Sequence, residues 1–353
     1  MSVMNIMNMV EAKDLLDFSQ NFAVTRSYLG DMLFPDTKTQ NMKAEFYRLS
    51  DQRMLPTMAM VHSLDAEAHI GQRPTMEKVE LEKMLIKEKI NQSERVQMWL
   101  DNGADQNGIV RYIFDDVARL SESVKTRTEV MKCEALCKGK VTVKENNVNL
   151  EVDYNVPSEN RLSFNWAETT ADVLGDLQNL MDQARLNGQT IRQLVTSTKI
   201  MALLRKNEGI QTSIYSALGK GTYVSNTMIS NLFSDMFGVK ITTYDEYYRY
   251  EDRAGNLVSK RYFDEDKLVA ISPMQDGSLG RGLWGATPEE RAQGPWTQKN
   301  ATQFITSVMW EEPDPVAVWT KSSGLFVPVI PNPQGLYIGT VTLTKATTKS
   351  SGK

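Results

Sequence analysis

Between about Asn107 and Lys138 the apolar residues Val110, Ile113, Val117, Leu120, Val124 and Met131 recur at spacings of three, four or seven. That is the period of one narrow stripe on a helix. Charged residues surround the stripe, and Asp115 with Arg119 and Glu134 with Lys138 fall at the i, i+4 spacing that supports helix formation. Gly139 follows where a C-terminal cap is favoured. At a helical rise, about thirty residues make a rod of roughly 45 Å. A small domain does not need so long an element for its core, so the segment is expected to be a spine.

Upstream the pattern is broken. Residues 1–54 predict an arm: an amphipathic helix over Val10–Phe22, then Tyr28, Leu29, Leu33 and Phe34 before Pro35, with an extended piece at Lys43–Leu49. Phe18, Phe22, Tyr28 and Phe34 are the candidate anchors, because aromatics spread through so little regular structure need a partner surface. Residues 55–90 predict two extended limbs, Pro56–Val61 and Val79–Ile90, about a polar tip at Ala66–Pro74. The second limb interleaves charge of both signs with apolar residues. An isolated two-stranded ribbon is marginal in water, which favours docking on a neighbouring copy through Glu67, Arg73, Glu77, Lys78, Glu80, Glu82, Lys83 and Lys87. The same charges would also suit the solvated face of a helix.

Downstream of the spine, Val141 and Val143, then Val148, Leu150, Val152 and Tyr154, alternate around Glu145-Asn146-Asn147, a hairpin with one buried face. A domain boundary is expected near residue 160. Helical periods run over Trp166–Leu186, Thr198–Lys206 and Ser225–Phe237, and strand patterns over Val239–Tyr250, Leu257–Phe263 and Leu268–Ser272. The turn Asp252–Asn256 joins two of those strands. Residues 274–300 predict a long loop, and apolar runs at Phe304–Trp319 and Leu336–Leu343 flank a proline-rich loop. Residues 346–353 form a small, polar tail expected to be disordered. The class is α+β.

Composition narrows the function. The 353 residues are 41% hydrophobic and 24% charged, ordinary for a globular chain, and the net charge of −4 supplies no field for holding nucleic acid through many phosphates. Two cysteines, Cys133 and Cys137, point to a reducing cytoplasm, and no apolar run approaches the length of a membrane span.

Catalytic chemistry is sparse. Gly280-Arg-Gly282-Leu-Trp-Gly285 spells a dinucleotide-binding pattern, but that pattern works only between a strand and a helix N-terminus. Here loop residues separate it from the strand before it, and a flexible loop is the expected reading. Leu218–Thr222 lacks the early glycine of a phosphate loop, and Asp101–Gly108 lacks calcium-ligand spacing. Cys133, Cys137, His62 and His69 would make four zinc ligands, yet their spacing matches no closed site, and inert thiols on a helix are the simpler account. Asp264-Glu265-Asp266 is best read as a charged turn, with a cation-binding or catalytic role as the alternative. No nucleophile lies beside a base. Neither enzyme, cofactor nor metal is expected.

Arm, charged hairpin, spine, hairpin sheet, inserted α+β domain and returning strands, in that order, resemble the tailed-phage major capsid architecture, the Hong Kong phage fold. The stretches Thr25–Pro35, His62–Gly71, Lys87–Arg95 and Glu134–Lys140 are similar to the lambda capsid protein E family. The resemblance implies an N-terminal arm (1–54), an extended loop (55–90), a peripheral domain (91–160) with its spine helix at about 107–138, and an axial domain (161–300) holding Gly280–Gly285 near its tip. Return strands (301–345) would complete the peripheral domain. It further implies a virion shell of hexamers and pentamers around DNA contacted non-specifically, assembled in the bacterial host cytoplasm, with a portal, a possible decoration protein and a separate scaffolding protein as partners. A cellular nanocompartment shell of the same fold is the rival reading. Some family members join a lysine to an asparagine between subunits, but no partner for Lys78, Lys83, Lys87 or Lys89 is identifiable, and cross-linking is not expected.

Overall fold

A computed structural model describes residues 26–49, 55, 58–65, 67, 69–70, 76–92, 106–215, 223–252, 254–291, 298–301, 304–314 and 316–344. The expected helix over Val10–Phe22, the anchors Phe18 and Phe22, Arg73 and the tail 346–353 lie outside the described residues.

The chain begins with helix α1 (Leu29–Leu33) and strands β1 (Asp36–Lys38), β2 (Lys43–Leu49), β3 (Met76–Glu82) and β4 (Met84–Gln92), then the long helix α2 (Gln106–Lys138). The hairpin β5 (Lys140–Glu145) and β6 (Val148–Asp153) leads to β7 (Arg161–Phe164), α3 (Val173–Leu186), β8 (Gln193–Thr196), α4 (Thr198–Lys206), α5 (Glu208–Tyr215) and α6 (Asn226–Phe237). Next come β9 (Lys240–Thr243), β10 (Tyr247–Glu251), β11 (Leu257–Arg261), β12 (Lys267–Ile271) and β13 (Arg281–Gly285). The single turn α7 (Pro288–Arg291) precedes β14 (Gln298–Ala301), β15 (Thr306–Pro313), β16 (Val316–Val329) and β17 (Leu336–Val341). Among the described residues no helix is long and apolar enough to cross a membrane.

Local chemistry explains most boundaries. The spine forms as α2, and Val117, Leu120, Val124 and Met131 of its stripe are all buried. Gly139, at φ +67°, stops it in the left-handed conformation that costs glycine little, and Arg161 donates to the Lys138 carbonyl. Asn146 and Asn147, both at positive φ, make the tight β5–β6 turn. Asp172, Ser197 and Ser225 cap α3, α4 and α6 with their side chains. Helix α3 therefore starts at Val173, later than its apolar period suggests. Trp166 instead stacks on Phe164 and donates to Asp176.

Two compact units result, one of Met1–Glu45, Glu80–Lys132 and Arg281–Val329, the other of Phe46–Val79, Cys133–Gly280 and Ile330–Lys353. The first is organised on β16. Its antiparallel register with β15 covers Val316–Ser323, with β13 Leu325–Val329, and with β4 Val318–Phe326. Strands β15 and β13 thus lie end to end along one edge, and β4 occupies the other. Strand β1 adds in parallel to β13 and β14 antiparallel to β15. At the junction, a Cβ on Gly324 would stand 2.8 Å from the Trp284 ring and 3.0 Å from Val124, so only glycine admits this packing.

The second unit is a five-stranded mixed sheet, β7-β17-β12-β8-β9, covered by helices. Leu177 and Leu180 of α3, Ile200 and Leu204 of α4, Ile210 of α5 and Phe233 of α6 meet Leu194, Leu268 and Tyr337 of the sheet in one apolar core.

These groupings depart from three expected boundaries. Gly280–Gly285 is no flexible loop: Arg281–Gly285 is a strand of the first sheet, so residues from 281 onward leave the 161–300 domain. A Cβ on Gly282 would collide with Asp36, and one on Gly285 would stand 2.6 Å from Leu325, which accounts for those glycines without any phosphate. Strand β17, expected with the returning strands, pairs with β12 and β7 in the second unit. Finally, the partner of β3 is β2 and not a limb at Pro56–Val61, while β4 belongs to the six-stranded sheet.

Candidate functional site

The spine helix carries a buried ionic lock. Lys132 has no exposed side-chain surface and donates to Asp31 at 2.7 Å and Asp36 at 3.0 Å. Buried Glu129, one turn earlier, accepts the Gly30 N–H at 3.0 Å. Burial alone would lower the Lys132 pKa, but the charges and hydrogen bonds of Asp36 and Asp31 outweigh it and raise the value. Leu33 and Phe34 are fully buried and Tyr28 nearly so. Tyr28 and Phe34, expected to anchor on a partner, therefore bury within their own chain. Tyr28, Leu29, Leu33 and Phe34 are part of this unit's core.

A second cluster fixes the start of β4. The Lys83 ammonium donates to Thr39 Oγ1, the Asn41 carbonyl and the Trp284 carbonyl, with only 5% of the residue exposed. Burial and the charge of Arg291 lower its pKa. Along the same strand, Lys87 pairs with Glu289 at 3.2 Å, and Glu289 also accepts from Lys321 at 2.9 Å and Ser323 at 3.0 Å. Burial would raise the Glu289 carboxyl, but Lys321 and Lys87 hold it at about 2. Lys89 lies 3.9 Å from the centre of the Trp319 ring, which itself stacks on Trp310. Lys83 and Lys87, expected to reach a neighbouring copy, thus make their visible contacts within the subunit. Sequence patterning missed Glu289 and Lys132, since a carboxylate or ammonium becomes a lock only through partners distant in the chain.

The remaining loop positions stay outside. Glu67, Glu77, Lys78, Glu80 and Glu82 are exposed, and Glu80 pairs with Lys43 at the surface. Between β2 and β3, Met58 (89% exposed), Met60 (65%), Val61 (100%), Leu64 (95%) and Ile70 (86%) present apolar side chains to solvent. Exposed apolar residues in such number are uncommon on a solitary soluble chain.

The residues that the sequence singled out for chemistry have structural surroundings. Cys133 and Cys137 are buried free thiols on α2, and burial pushes the Cys137 thiol up, away from reactivity. His62 and His69 sit on the exposed loop, where the His69 N–H donates to His62. Among the described residues no three His, Cys, Asp or Glu side chains group as a metal site. Within Asp264-Glu265-Asp266, Glu265 pairs with Lys199 and Arg261, and Asp266 with Lys267, as a charged turn should.

The fold is shared with phage capsid structures. The chain is similar to a crystal structure described as a capsid protein of a prophage of Escherichia coli CFT073, with a TM-score of 0.61 and 16% identity over 94% of this chain and 99% of that one. It is similar to a phage-related protein from Bordetella bronchiseptica RB50, with a TM-score of 0.57 and 9% identity over 92% and 95% of the two chains. It is also similar to the mature capsid of bacteriophage PhiM1, with a TM-score of 0.51 and 10% identity over 91% and 89%. A search of curated proteins returns no match. By sequence, the family described as phage major capsid protein E matches residues 11–341.

Proposed function

Because the chain belongs to the phage major capsid protein E family, we propose that it is the structural subunit of a virion shell, assembling with copies of itself into hexamers and pentamers that enclose double-stranded DNA. In this reading the unit built on β16 and the spine is the peripheral domain, and the five-stranded unit is the axial domain. Its role is structural and not catalytic. Scaffolding, portal and decoration proteins are its further partners, and assembly takes place in the host cytoplasm.

The single observation that carries the proposal is the family match across residues 11–341. The exposed apolar run from Met58 to Ile70 fits it, since a solitary subunit gains nothing from holding those side chains in water. Shell contacts of this kind are individually modest and gain strength through repetition around closed rings.

The test is expression of the chain alone and with a candidate scaffolding protein, followed by electron microscopy. Closed shells of uniform diameter are the expected result, and a single small species under every condition overturns it. Protein cargo in place of DNA inside particles made in an infected host would point to a nanocompartment.

A further inference from the structure

Strands β10 and β11 form a two-stranded ribbon that pairs with no other strand among the described residues. Its two faces differ. One is charged, with Arg249, Glu251 and Arg261 on it and Tyr247 under the Arg261 guanidinium, which also binds Asp245. The other carries the opposed pairs Tyr248 with Lys260 and Tyr250 with Val258. Tyr250 is 43% exposed and Val258 36%, and Lys260 is the one charge among these four residues. Tyr248 packs against the buried Tyr262 with ring centres 5.0 Å apart, which leaves Tyr250 and Val258 as the exposed apolar part of that face.

The same unit presents a second apolar surface of different make. Met228, Leu232 and Met236 recur every four residues along α6; Leu232 packs partly against the unit's own core, while Met228 is 40% and Met236 51% exposed. Tyr223 adjoins them: the Tyr215 hydroxyl donates to the Tyr223 carbonyl and lies 3.2 Å from Met228 Sδ. Asp235, bordering the stripe, is the only charged residue of α6. Methionine side chains adapt readily to an incoming aromatic surface.

A ring of more than two identical copies is closed by a head-to-tail contact, which requires two different, complementary surfaces on each chain. One apolar face with a single cation and one with a single carboxylate meet that requirement. Building on the shell reading, we propose that the Tyr250, Val258 and Lys260 face of one copy docks on the exposed Met228 and Met236 of the next, with Lys260 paired to Asp235 of that copy.

Charge exchange tests the pairing in the full chain under conditions where the wild type assembles. Lys260→Glu and Asp235→Lys each alter an exposed side chain, and unchanged circular dichroism will verify their folds. Each single variant is expected to lower shell yield at least tenfold by sedimentation and microscopy, and the double variant to restore it. Replacing Tyr250 and Val258 together with serine should also abolish rings. Single variants that assemble like the wild type, or a double variant that stays defective, overturn the pairing while leaving the shell reading intact. A wild-type chain that forms neither rings nor shells overturns both.

Discussion

The Lys132 ammonium, wholly buried on the spine helix, lies 3.0 Å from the Asp36 carboxylate at the start of β1. Asp31 completes the site from α1 at 2.7 Å, so one cation ties the arm segment to the spine at two points. Replacing Lys132 with methionine keeps the stem but strands Asp36, four-fifths buried, without its countercharge. The expected loss is about 3–5 kcal/mol by urea denaturation. Asp31→Asn, at a half-exposed carboxylate, should cost about 1 kcal/mol or less. Because the folded Lys132 pKa is raised, its contribution is complete at neutral pH and disappears only as the pH climbs through that value, above 10.5.

Acid should release β4. The Glu289 carboxyl is held at about 2 in the folded chain against 4.5 when free, so its contribution is full above pH 4.5 and is lost as the pH falls through 2. Denaturation series at pH 7 and pH 3 should show a drop in wild-type stability that is smaller in Glu289→Gln. The variant should already be the weaker protein at pH 7. Equal pH dependence in the two would remove Glu289 as the source.

Gly324→Ala should destabilise by about 1–3 kcal/mol through overpacking against the Trp284 ring and Val124. A shift of the urea midpoint at constant slope is the readout. Gly282→Ala and Gly285→Ala should act alike, through Phe326 and Leu325. A nucleotide should leave the melting temperature of the wild type unmoved, since these glycines serve the sheet.

Bridging residues 58–70 with a short glycine-serine linker should leave urea stability within about 1 kcal/mol, because the removed apolar side chains are already in water. Shell formation should nevertheless fail. A larger deletion over 55–90 is the wrong experiment, since it would take β3 and β4 out of their sheets. Normal shells from the short deletion would sink the docking role of this loop.

What the sequence determined by itself is what near neighbours decide. The spine from Gln106 to Lys138, the Asn146-Asn147 hairpin, the serine caps of α4 and α6 and the Asp252 turn all depend on residues within a few positions of one another. Periodicity, caps and positive-φ preferences report such elements directly. The family resemblance rests on the same order of elements. Tertiary structure alone decided that Arg281–Gly285 is a strand, that β17 joins β12, and that Lys83 and Lys87 turn into their own subunit. The Lys83 ammonium meets a carbonyl 201 residues away, and Lys132 meets carboxylates about a hundred residues upstream. A lysine followed by a strand looks the same in sequence whether its charge faces solvent or a buried acceptor. Only the partner brought to it by the fold sets that choice, because an ammonium stays buried when its lost hydration is replaced by specific acceptors.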